Sequence, residues 1–159
     1  MRPPRPVGLY IHVPFCARRC SYCSFVTSTD LDPRGRTVAA LAAEIARLGG
    51  RGGRELETVY LGGGTPSLLP PRELAVVLDA VRRSFELRPD AEVTLEANPD
   101  DVGEATVAEW ARLGVNRVSL GVQSFDDGVL ELLNRRHGGP THARRRAGCR
   151  RPGCSCRST

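Results

Sequence analysis

Four short apolar runs alternate with amphipathic helical patterns over the first 137 residues, and this alternation restricts the fold more than any other feature. Residues 8–13 and 58–61 are bounded by glycine or proline, as buried strands are; 92–96 and 117–120 supply a third and a fourth. Between them, 37–48 keeps Val38, Leu41, Ile45 and Leu48 on one face and runs into Gly49-Gly50, which predicts a glycine C-cap. The stretch 71–85 opens with proline in the first turn and aligns Leu74, Val77, Leu78, Val81 and Phe85. A helix over 104–113 stacks Val107, Trp110 and Leu113 and stops at Gly114. Another starts at Asp126, a capping carboxylate, with Val129, Leu130 and Leu133 predicted to face inward. Strands and helices in this order form parallel βαβ units with right-handed crossovers. The expected fold class is α/β: an incomplete parallel (β/α) barrel of four strand–helix units, with an open doubly wound sheet as the second architecture.

Composition changes abruptly after His137. Residues 138–159 contain no Val, Leu, Ile, Met or aromatic residue, so nothing there could bury a core face, and a disordered tail is expected. The expected division is thus 1–137 as the N-terminal part of a barrel and 138–159 as an Arg/Gly/Cys-rich tail. The change falls inside a running helix pattern rather than in a linker, which reads as premature truncation with an out-of-frame tail. The net charge of +5 belongs to that tail: it carries six arginines and no acid, leaving 17 arginines against 18 acids in the body. A nearly neutral body removes the case for a nucleic-acid partner. No apolar stretch approaches the roughly 20 residues that span a bilayer, and the N-terminal segment reads as a strand rather than a signal peptide. A cytoplasmic location is expected, where clustered cysteines serve metal or redox chemistry more often than disulfides.

Each strand delivers polar or glycine residues to its C-terminal end, the rim where a parallel barrel places its active site. The first leads to Cys16, Cys20 and Cys23, a C-x3-C-x2-C loop. Clusters are ordinarily held by four thiolates; three around a four-iron cluster leave one iron open for a small molecule. A zinc site would need a fourth ligand from His12, His137 or a tail cysteine, and a disulfide would strand an odd thiol, so spacing and place favour the cluster. The tail cysteines Cys149, Cys154 and Cys156 lack an apolar scaffold to fix a second site. The second strand leads to Gly62-Gly63-Gly64-Thr65-Pro66, where a ligand could approach exposed backbone, or where the chain simply turns. The third ends at Glu96-Ala97-Asn98-Pro99; Glu96 can hydrogen-bond ribose hydroxyls or an amino group, or stand as a loop charge. The fourth ends at Gly121-Val122-Gln123-Ser124, whose Gln123 can read a ligand or cap the next helix.

Taken together and in this order, C-x3-C-x-aromatic-C, Gly-Gly-Gly-Thr-Pro, Leu-Glu-Ala-Asn-Pro and Leu-Gly-Val-Gln-Ser-Phe resemble the radical SAM superfamily over roughly residues 8–137. Within it the chain is similar to the branch containing oxygen-independent coproporphyrinogen III oxidase and the haem chaperone HemW. The resemblance implies a [4Fe-4S] cluster on Cys16, Cys20 and Cys23, with S-adenosylmethionine chelating the open iron. It places Tyr10 near that S-adenosylmethionine and Tyr22 against its adenine. Gly63, Gly64 and Thr65 would meet its amino-acid end and Glu96 its polar groups. Gln123 and Arg135 resemble positions that contact a second S-adenosylmethionine in the oxidase. The implied chemistry is one-electron cleavage of the sulfonium to a radical that abstracts hydrogen from substrate, with the cofactors carrying the hard step.

Two departures favour the chaperone branch. The oxidase pattern continues Gly-Cys after the third cysteine, whereas here Ser24-Phe25 follow, and the oxidase has a longer N-terminal extension. The expected function is therefore haem delivery to a haem-accepting protein, with haem or porphyrin as small-molecule partner and an electron donor for the cluster. The alternatives are porphyrinogen oxidation, and an inactive truncated product whose fourth strand would leave a bare edge.

Overall fold

The computed structural model describes residues 7–50, 55–136 and 155–158. Five strands form one sheet in the order β1 (Val7–Val13), β2 (Glu55–Gly63), β3 (Glu86–Ala97), β4 (Arg117–Leu120) and β5 (Ser155–Ser158), and every neighbouring pair is parallel. Helices α1 (Arg34–Gly49), α2 (Pro71–Ser84), α3 (Glu104–Arg112) and α4 (Asp127–Leu132) occupy the connections. A doubly wound sheet reverses its strand order at a switch point. This one advances without reversal, as the staves of a (β/α) barrel do, so the second architecture is set aside.

Register separates the two faces. Ile11 pairs with Leu61, Leu61 with Leu95 and Leu95 with Val118, a row at most 3% exposed. It joins Val38, Ile45, Leu74, Val77, Val81 and Trp110 in one core. Burying each such side chain contributes about 1.5–3 kcal/mol. The adjacent row, Tyr10, Tyr60, Thr94 and Arg117, belongs to the opposite, polar face.

The helices follow the apolar pattern with informative exceptions. Leu48 and Val129 are 42% and 41% exposed, so neither faces inward as the periodicity predicts; Leu48 sits in the last turn of α1, and Val129 in the first turn of a six-residue helix whose one buried residue is Leu130. Gly114 does take φ +89° after α3, and Asp126 caps α4 by accepting from Val129 N at 2.9 Å. The Gly49-Gly50 pair works differently from the expected cap. Gly50 has right-handed helical angles (φ −62°), while Gly49 lies where an added Cβ would collide with the Ser84 carbonyl, so it serves the close approach of α1 to α2.

β3 begins six residues before the run predicted for it. Its first pairs, Glu86 and Leu87 with Glu55 and Leu56, are separated from the main ladder by an irregularity that spans Pro89, which has no N–H to donate. The fifth strand was not expected at all. Ser155–Ser158 pairs residue for residue with Arg117–Leu120, so the outer edge of β4 is covered. Edge pairing is a backbone property, and a stretch without apolar side chains gives no pattern that announces it. The remainder of the tail lies outside the described residues. Among those described, no helix is long and apolar enough to cross a membrane.

Candidate functional site

β1 ends at Val13 and releases the chain into the cysteine loop. Its neck is a short parallel bridge between Phe15 and Ser28: Cys16 N donates to Ser28 O (2.9 Å) and Ser28 N to Pro14 O (2.7 Å). The Phe15 side chain, 2% exposed, anchors this neck in the interior. A ring nitrogen of His12 meets Val26 O at 2.9 Å, and Gly64 N and Thr65 N donate to Val13 O and Phe15 O at 2.8 and 2.6 Å. The glycine triplet is therefore shaped first by the protein itself. A Cβ on Gly64 would stand 2.6 Å from Phe15 O, so the cysteine loop can lie on the β2 turn only because that position has no side chain.

The far side of the loop rests on the end of α4. Ser21 Oγ donates to Leu132 O (2.9 Å), Asn134 Nδ2 donates to Arg19 O (2.8 Å), and Arg135 Nη1 points at Cys20 Sγ over 3.3 Å. Arg135 is itself fixed by Nη2, which donates to Asn98 Oδ1 (2.8 Å) and Gly121 O (2.5 Å). At the third strand end, Glu96 accepts from Tyr60 OH (2.6 Å) and from Gly63 N (3.1 Å), so its carboxylate holds the glycine turn while facing the same space.

That space is one cavity of about 300 Å³. Cys16, Cys20 and Cys23 open onto it, as do Tyr22, Gly63, Gly64 and Thr65 and, from the later strand ends, Glu96, Gln123 and Arg135. Tyr10 does not line it; it lies on the polar sheet face, 56% exposed, stacked on Tyr60 with ring centroids 6.1 Å apart. Asn98, Ser119 and Phe25 are further wall residues to which the sequence reading assigned no contact. Asn98 stands at a strand end already singled out, and Ser119 pairs in register with Glu96, so strand alternation carried a signal for both. Phe25 had no comparable signal beyond its place beside Cys23.

The donor set fits an iron–sulfur cluster. All three thiols are free, and among the described residues no three His, Cys, Asp or Glu side chains converge on a single ion. A cluster takes one thiolate per iron and needs no such convergence. Burial pushes the Cys16 thiol up, a hydrogen bond from Thr65 opposes this, and the other two thiols push it up further. Three thiolates in one loop therefore need positive charge to compensate them, which cluster iron supplies. Arg135 Nε is buried beside them without a partner, a donor left over for whatever fills the cavity. Tyr22 is likewise raised by burial, with Arg135 opposing.

Comparison with known proteins agrees with this arrangement. Residues 10–151 match the Radical SAM superfamily, and the chain belongs to that family. It is 46% identical over 137 residues, 82% of its length, to bovine radical S-adenosyl methionine domain-containing protein 1, mitochondrial, of which it spans 30%. Against the haem chaperone HemW of Escherichia coli it is 41% identical over 145 residues, 89% of this chain and 38% of that one. Coproporphyrinogen III oxidase (HemN) of Escherichia coli, a radical SAM enzyme, superposes with a TM-score of 0.86 at 27% identity, over 99% of this chain and 38% of the oxidase. The chain thus spans about a third of the length of these relatives.

Proposed function

We propose that Cys16, Cys20 and Cys23 hold a [4Fe-4S] cluster, that S-adenosylmethionine occupies the adjoining cavity, and that the protein serves haem, delivering it to a haem-accepting protein. The single observation carrying this reading is the convergence on one cavity of three free thiols and the ends of three further strands. When bound, the cofactor pair supplies one-electron chemistry at the sulfonium. The chain's own part is to hold and orient. Gly63, Gly64 and Thr65 offer a turn close to Cys16, Glu96 offers carboxylate oxygens already aimed by Tyr60 and Gly63, and Tyr22 offers a half-exposed ring at the mouth. Gln123 and Arg135 form the opposite wall, where a second S-adenosylmethionine is the ligand to test. Tyr10 stands behind the Glu96 wall, stacked on Tyr60, against Gly62 and within the electrostatic reach of Glu96, which would set it near the cofactor. We assign 1–137 as the barrel portion and place the protein in a reducing compartment, the cytoplasm, with a separate electron donor.

Anaerobic reconstitution should yield roughly four irons per chain. Cys20→Ala should abolish it and Cys154→Ala should not; retention of the cluster by the Cys20 variant would sink the assignment. The oxidase reading keeps one observation in its favour, the close superposition on HemN. Product analysis with a porphyrinogen under reducing, anaerobic conditions separates the two: decarboxylated porphyrinogen supports the oxidase, whereas stoichiometric haem transfer to an apo haem protein supports the chaperone.

A further inference from the structure

The two ends of the cysteine loop are held by different means. The neck fixes Cys16 through the strand-like bridge at Ser28, close in sequence to β1. Cys20 lies on the outer bend, and that bend is held from the end of α4. A helix leaves its last carbonyls without intrahelical partners. In α4 the carbonyl of Leu132 takes the Ser21 hydroxyl at 2.9 Å, and that of the next residue, Leu133, takes the Ser21 N–H at 3.4 Å. The loop's own Arg19 carbonyl is in turn satisfied by Asn134 Nδ2 at 2.8 Å, and Arg18 Nη1 approaches Asn134 Oδ1 at 3.4 Å. Helix end and loop cap one another.

Asn134 makes this exchange possible. Its φ of +56° lies in the left-handed region, which asparagine tolerates better than other non-glycine residues. The reversal there turns the chain from α4 toward the cavity, bringing the next residue, Arg135, to Cys20 Sγ. We propose that Asn134 is a positioning residue for the cluster loop: through Arg19 it fixes the bend that carries Cys20. The proposal rests on the cluster reading above, but the geometry it concerns exists without the cluster.

The test uses the full chain and three variants. Asn134→Gly keeps the left-handed backbone and removes the amide; Asn134→Asp keeps the shape but cannot donate to Arg19 O; Ser21→Ala opens the clasp from the other side. In the metal-free chain, alkylation by iodoacetamide is followed at each cysteine by peptide mapping. The expected result is roughly tenfold faster reaction at Cys20 in the glycine and aspartate variants, with Cys16 unchanged and a smaller rise in Ser21→Ala. In the reconstituted protein, the glycine variant should hold as much iron as wild type and lose it to a chelator faster by a similar factor. Wild-type rates at Cys20, or equal acceleration at Cys16, Cys20 and Cys23 with a lowered thermal midpoint, would overturn the proposal. If the wild-type chain takes up no iron, the cluster reading falls, while the alkylation arm still decides the role of Asn134.

Discussion

Thr65 is 6% exposed, donates from Oγ1 to Cys16 Sγ over 3.7 Å and accepts from Asn98 Nδ2 at 3.4 Å. The hydrogen bond to sulfur favours thiolate over thiol, against the burial that raises Cys16. Thr65→Val preserves the volume and deletes the hydroxyl. In the metal-free chain the pH profile of Cys16 alkylation should then move to higher pH, with a stability loss of about 1 kcal/mol; an unmoved or acid-shifted profile would contradict the assigned contact. Because a thiol must lose its proton to bind iron, uptake by the wild-type chain should quicken as pH rises. The role of Thr65 was only half legible in the sequence. The Gly-Gly-Gly-Thr-Pro run marked the turn, but that its threonine would face the first cysteine depends on Phe15 O accepting from Thr65 N across two separate strands.

Among the elements, α1 and α2 carry the clearest difference between pattern and packing. Glycines after an amphipathic helix suggest a left-handed cap, yet the chain leaves α1 at Gly50 in right-handed geometry. Gly50→Ala, whose Cβ would meet nothing nearer than Ala46 O at 3.5 Å, should stabilise the protein by about 0.4–1 kcal/mol through the unfolded chain. Gly49→Ala should destabilise it by about 1–3 kcal/mol, since the Ser84 backbone has to move. Denaturant titrations of the two variants distinguish these roles; a destabilised Gly50→Ala beside a neutral Gly49→Ala would reverse the assignment. The same reasoning explains Val129. Its place on a 3.6-residue stripe says that it could be buried, while a six-residue helix with Leu130 at 2% exposure has room for one anchor.

At the scale of the molecule, the sheet advances in one direction and presents every strand's C-terminal end to one rim, which is why motifs scattered over more than a hundred residues meet around about 300 Å³. β5 closes the outer edge of β4 in parallel register. Deleting residues 155–159 should uncover that edge and produce concentration-dependent association in sedimentation velocity, where the full chain gives less; equal behaviour of both would show that β5 does not protect the edge. The strand–helix alternation, the parallel class, the capping Asp126 and the three-cysteine loop were all determined by the sequence itself, because each rests on periodicity or on spacing within one segment. What only the tertiary structure decided are contacts between segments: Gly64 yielding its space to the neck, Asn134 and Ser21 locking the loop to α4, Tyr10 turned to the sheet face, and a backbone-paired strand in a stretch without apolar residues. Such contacts depend on the path of the backbone in three dimensions, and a one-dimensional pattern carries no record of which distant carbonyl a given donor will meet.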